Sequence, residues 1–154
     1  MDLIEILTPG TVRVVSGVSS KKRLFQDIAG IMGAVHKMDE ATVLNALIER
    51  EGLGPTGVGR GIALPHARLD DIDQVVGCFL KLEKPIDFDA VDRQPVDLIF
   101  ALFAPKDSGV EHLKALAAVS RTLKNSETCA KLRGNTDVAT LYAILASEAQ
   151  TQAA

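Results

Sequence analysis

Apolar side chains recur every three or four positions through Leu24, Ile28, Ile31, Met32 and Val35, the spacing that lines one face of a helix. Ser19 and Ser20 stand just ahead as N-cap residues, so a helix is predicted from about Lys21. Asp39 opens a second helix, with Ala41, Leu44, Leu47 and Ile48 as its apolar face. Arg50 falls in its last turn, and Gly52 and Gly54 end it. Two stretches break this rhythm. Val75–Leu82 and Val96–Phe103 are almost continuously apolar, as strands are when both faces of a sheet are covered. Val12–Val15 reads as a shorter strand behind the turn Thr8-Pro9-Gly10. Ile62–Leu64 reads as a strand end that stops at Pro65. Helical spacing then returns. Ser108 or Gly109 starts a helix carrying Leu113, Leu116, Ala117, Ser120 and Leu123 on one face. Glu127–Arg133 is a shorter helix that stops at Gly134. Thr136 is expected to cap the last one, with Val138, Leu141, Tyr142 and Leu145 inward. Ser147–Ala154 reads as a frayed tail.

Helices bracket the strands at both ends of the chain. The two types do not alternate one by one as in a dinucleotide-binding fold. The expected class is α/β, one sheet between helical layers. The 154 residues suit a single domain over 1–148, with 149–154 as tail. Hydrophobic residues are 47% and charged residues 24%, a globular balance. A net charge of −3 argues against nucleic acid or an anionic membrane as partner. The opening Met1-Asp2-Leu3-Ile4-Glu5-Ile6-Leu7 lacks the basic and long apolar regions of a signal peptide. No apolar stretch approaches the roughly 20 residues that span a bilayer. A cytoplasmic location without membrane insertion is expected. Cys78 and Cys129 read as two reduced structural thiols.

Candidate chemistry gathers near the middle of the chain. Gly54-Pro55-Thr56-Gly57-Val58-Gly59-Arg60-Gly61 is dense in glycine. It fails as a phosphate-binding P-loop, because Arg60-Gly61 stands where Lys and Ser or Thr are needed. It fails the dinucleotide fingerprint too, since Ile62 occupies the third glycine position. Two readings stay open: a tight turn where backbones pass closely, or a surface cleared for another protein's approach. Of the three histidines, His36 lies beside Lys37 and reads as solvent-exposed. His66 follows Pro65, which restricts the backbone before it. A neutral imidazole is nucleophilic at pH 7 and can accept a phosphoryl group. A nearby guanidinium would stabilise the added charge, and Arg50, Arg60 and Arg68 are the sequence candidates. His112 sits at the start of a helix, where it could donate a hydrogen bond to an anion or merely edge the apolar face. A metal site from His66 and His112 lacks further close-spaced ligands and any HExxH. No GxSxG supports a hydrolase.

From about Lys21 to Glu148 the sequence resembles the enzyme IIA proteins of the bacterial phosphoenolpyruvate-dependent phosphotransferase system. The class is the fructose/mannitol one, and the likeness is greatest to its free-standing nitrogen-regulatory member. The segments that carry it are Thr56-Gly57-Val58-Gly59-Arg60-Gly61-Ile62-Ala63-Leu64-Pro65-His66 and Phe88-Asp89-Ala90-Val91-Asp92-Arg93-Gln94-Pro95-Val96-Asp97-Leu98. The resemblance implies a mixed β-sheet flanked by helices on both sides. It implies that His66 is phosphorylated, usually at Nε2, by a histidine phosphocarrier protein. It also implies that Arg50 is the active-site arginine and that His112 is the second histidine. Ala67-Arg68 stands where Gly-Lys is common. No metal or organic cofactor is implied. The partners implied are the phosphorylated carrier and regulatory targets such as potassium transport or sensor kinase proteins. Two alternatives remain: a sugar-transport IIA that passes phosphate to an enzyme IIB, and a protein-interaction domain without phosphoryl turnover. The expectation of regulation rests on finding no fused IIB, membrane or carrier segment in the sequence.

Overall fold

The computed structural model describes residues 2–153, and side chains through 147. Along the chain run α1 (Leu3–Ile6), a 3-10 turn (Pro9–Thr11), β1 (Val12–Val15), α2 (Lys21–His36) and α3 (Glu40–Gly52). Next come β2 (Gly57–Gly59), β3 (Ile62–Ala63), β4 (His66–Leu69), β5 (Val76–Ile86) and β6 (Val96–Pro105). α4 (Gly109–Lys124), α5 (Ser126–Arg133) and α6 (Val138–Ala153) close it. The helical backbone of α6 thus continues into the segment expected to fray.

The strands form one mixed sheet in the order β1-β5-β6-β3-β2, with β4 also on β6. β5 and β6 are antiparallel, and β1 joins β5 in parallel. β3 and β4 share one lane along β6, both parallel to it: Ile62 lies opposite Leu98, and His66 opposite Leu102. Between them Pro65 lacks an N–H for the ladder, but its carbonyl accepts from Leu102 N at 2.9 Å. His66 therefore begins a strand, instead of following one as the sequence suggested.

Alternation along β5 and β6 explains their unbroken hydrophobicity. Cys78, Leu80, Ile99, Ala101 and Phe103 enter a core under α2 and α3. Phe79, Leu98, Phe100, Leu102 and Ala104 enter a second core under α1, α4, α5 and α6. This is the expected α/β architecture, a mixed β-sheet flanked by helices on both sides. Lys81 interrupts the apolar run, yet it is buried. Its ammonium donates to the carbonyls of Arg133 (2.7 Å) and Asn135, at the C-terminal end of α5, where a cation is favoured.

The N-caps of α2 and α3 are as read from sequence: Ser20 Oγ accepts from Arg23 N at 3.1 Å, and Asp39 Oδ2 from Thr42 N at 3.0 Å. Three expectations need correction. Asp137, not Thr136, caps α6; its carboxylate accepts from Thr140 N and Oγ1 at 3.0 and 2.8 Å. The inward stripe of α4 is His112, Ala115, Ala118, Val119, Thr122 and Leu123, while Leu113 is 64% exposed. Small alanines let this helix lie close on the sheet, so size, not hydrophobicity alone, chose the face. On α3 the buried residues are Val43 and Leu47, with Leu44 partly covered and Ala41 and Ile48 outside.

Candidate functional site

His66, Arg50 and His112 arrive at one place from three elements. His66 opens β4, Arg50 lies in the last turn of α3, and His112 lies in the first turn of α4. Together with Arg68 and Leu113 they line a cleft of about 900 Å³. Ala67 and Leu69 point into the core beneath α2 and α3. Strand periodicity therefore turns His66 and Arg68 together to the other face.

Each ring nitrogen of His66 has one contact. Nδ1 lies 2.9 Å from the carbonyl oxygen of Leu64, to which only a protonated Nδ1 can donate. A neutral ring then carries its lone pair on Nε2. Arg50 Nε donates to that nitrogen at 3.3 Å, and Arg50 Nη1 donates to the Gly54 carbonyl at 3.0 Å. Burial holds the His66 pKa below its usual value; the Leu64 carbonyl opposes this, and the Arg50 charge adds to it. The ring thus stays neutral at pH 7.

His112 is 5% exposed. Its Nδ1 accepts from Arg68 Nε at 3.1 Å. Its ring meets that of His66 edge to face, with centroids 5.5 Å apart. Burial first, then the neighbouring His66 and Arg68, push its pKa down to about 4. Its Nε2 is buried and has no hydrogen-bond partner among the described residues.

Arg60 does not join them. It sits at the β2–β3 turn with φ 59° and donates Nη2 to the Lys124 carbonyl at 3.4 Å, at the far end of α4. Lys124 lies twelve helical positions beyond His112, ~18 Å at 1.5 Å per residue. The glycines around Arg60 answer to internal packing. A Cβ on Gly57 would lie 2.8 Å from the Cβ of Ala90, and Asp92 accepts from Arg60 N at 2.8 Å. Phe88–Leu98 thus pins the glycine loop, as the close-backbone reading requires. His36 also differs from expectation. It is half-buried at the end of α2, with Nε2 unpartnered among the described residues, and burial lowers its pKa.

Two features escaped the sequence reading. Glu51 anchors the loop beside Arg50: its carboxylate accepts from Thr56 N and Oγ1 and from Lys21 Nζ, the last at 2.9 Å. Arg68 was one of three undifferentiated arginines. Its i, i+2 spacing from His66 would have singled it out had β4 been recognised as a strand. Among the described residues no group of three or more His, Cys, Asp or Glu is placed to hold a metal ion. None of their helices is long and apolar enough to cross a membrane.

Residues 5–148 match the family described as "Phosphoenolpyruvate-dependent sugar phosphotransferase system, EIIA 2". A nitrogen regulatory protein of Bradyrhizobium diazoefficiens is 38% identical over 99% of this chain and 100% of its own length. A fructose-specific EIIA component of Haloferax volcanii is 42% identical over 69% of this chain and 68% of its own. The crystal structure of nitrogen regulatory protein IIA-Ntr from Neisseria meningitidis superposes with a TM-score of 0.86 at 34% identity, covering 93% of this chain and 98% of that one. The chain belongs to the EIIA 2 family of the phosphoenolpyruvate-dependent sugar phosphotransferase system, and its likeness to the nitrogen-regulatory members runs its full length.

Proposed function

We propose that this chain is a phosphocarrier and regulator: it accepts a phosphoryl group on Nε2 of His66 from a phosphorylated histidine phosphocarrier protein. The observation that carries this reading is the Nδ1 contact with the Leu64 carbonyl, because it leaves the Nε2 lone pair as nucleophile. As the Nε2–P bond forms, the donor's N–P bond breaks and its electron pair returns to the carrier's ring nitrogen. Nδ1 keeps its proton, so His66 becomes a ring cation bearing a phosphoryl dianion, and the Leu64 carbonyl stabilises that cation. Arg50 must release the lone pair before attack. Its guanidinium then meets the phosphoryl oxygens, where charge-assisted bonds are strongest. His112 supplies a further donor.

The rim of the cleft suits a protein donor. Leu53 is 83% exposed and Leu113 64%, apolar side chains at the mouth of a charged site. Likeness to nitrogen regulatory proteins supports an output in which phosphorylation state selects binding partners, such as potassium transport or sensor kinase proteins. Incubation with isotopically labelled phosphocarrier tests the reading. The expected label is acid-labile, stable in base and confined to the His66 peptide. Undiminished labelling of His66→Ala would overturn it. Rapid onward transfer to an enzyme IIB would instead indicate sugar transport.

A further inference from the structure

Arg68 holds a position that the phosphoryl-transfer scheme leaves unused. Its Nε always carries a proton and cannot accept one. The 3.1 Å contact with His112 Nδ1 therefore requires a lone pair on that nitrogen. A neutral His112 has one ring proton, which must then sit on Nε2. That atom is buried and has no hydrogen-bond partner among the described residues, while its ring lies edge to face with His66. An unmet buried donor is unfavourable, so an acceptor arriving on His66 would be welcome there. The two histidines are thus locked in opposite tautomers. The Leu64 carbonyl puts the His66 proton on Nδ1, and Arg68 puts the His112 proton on Nε2.

We propose that Arg68 is a positioning residue that fixes the Nε2–H tautomer of His112, so that this N–H donates to a phosphoryl oxygen once His66 is phosphorylated. The proposal rests on His66 as acceptor. It assigns Arg68 no direct contact with the phosphoryl group.

The test has an arm that needs no phosphate. Side-chain 15N NMR of the unphosphorylated protein at pH 7.5 should find His112 protonated at Nε2 and bare at Nδ1. Arg68→Lys keeps a donor and should preserve that state. Arg68→Met removes it and should shift His112 toward Nδ1–H or a mixture. A wild-type His112 protonated at Nδ1, or a tautomer unchanged in Arg68→Met, overturns the proposal whether or not His66 takes phosphate. In the second arm, phosphorylated carrier should label Arg68→Met roughly tenfold more slowly, as expected for loss of one charge-assisted hydrogen bond, with Arg68→Lys recovering much of the rate. Combining Arg68→Met with His112→Ala should be no slower than His112→Ala alone, because both remove the same donor. Additive losses would mean that Arg68 acts through its own charge, which also overturns it. Absence of labelling at His66 in the wild type would refute the phosphocarrier reading and leave the tautomer measurement intact.

Discussion

At the scale of single residues, the proposed function separates the group that would bond the phosphoryl, His66, from those that would stabilise its charge. Arg50 touches both His66 Nε2 and the Gly54 carbonyl, so its guanidinium is held in place on the loop anchored by Glu51. Arg50→Ala should leave the fold intact, as followed by circular dichroism, and slow phosphorylation by about 10²–10³, the usual loss for one preorganised electrostatic group. An unchanged rate would pass the stabilising role to Arg68, since Arg60 lies at the other end of α4. His112→Ala should be milder than His66→Ala, because the nucleophile remains. Losing one hydrogen bond of about 0.5–3 kcal/mol slows the reaction by roughly 2- to 150-fold. His112→Gln should regain part of that, its amide still being a donor. Equal and complete loss of phosphorylation in both variants would make His112 as indispensable as His66.

Among the elements, β5 carries the test of how the second core is closed. Lys81→Met should destabilise the protein by about 1–3 kcal/mol, since it strips a charged donor from two carbonyls behind α5. Chemical denaturation measures this; a wild-type midpoint would mean that the ammonium contributes nothing net. The element scale also marks what was legible beforehand. Lys21, Asp39 and Gly134 delimit helices because capping and termination act through neighbours in sequence. β5 and β6 stood out because burial on both faces leaves no polar alternation to obscure them. β2 and β4 were hidden because their three or four residues carry no periodicity of their own: β2 pairs with β3 just across the Arg60-Gly61 turn, and β4 with β6 far along the chain. The face of α4 was misread because Leu113 is as apolar as a core residue, and only the sheet beneath reveals that alanine fits better. The residues alone make Arg50 one of three candidate arginines and His112 a candidate donor, and the resemblance singles them out. Their meeting at His66 depends on the end of α3 and the start of α4 reaching one edge of the sheet, which no local pattern encodes.

For the whole molecule, the three histidines share a sign. Burial lowers the pKa of His36, His66 and His112 from 6.5, the last to about 4. The unfolded chain therefore binds more protons than the folded one between those values, so folding stability rises with pH across that window. Stability should be full above pH 6.5 and fall as pH drops toward 4, with His112 alone accounting for up to about 3 kcal/mol. Urea midpoints at pH 7.5, 5.5 and 4.5 should decline in order, and His112→Gln should flatten the decline; equal midpoints would refute it. A further consequence follows from the two cores. Arg50 belongs to the layer of α2 and α3, and His112 to the layer on the opposite side of the sheet. On the proposed function, a phosphoryl group held by both would brace the two helical layers against each other across the sheet. Phosphorylation would then change stiffness as well as charge: α3 and α4 would be tied together at the cleft, and a partner gripping the rim would meet a less compliant surface.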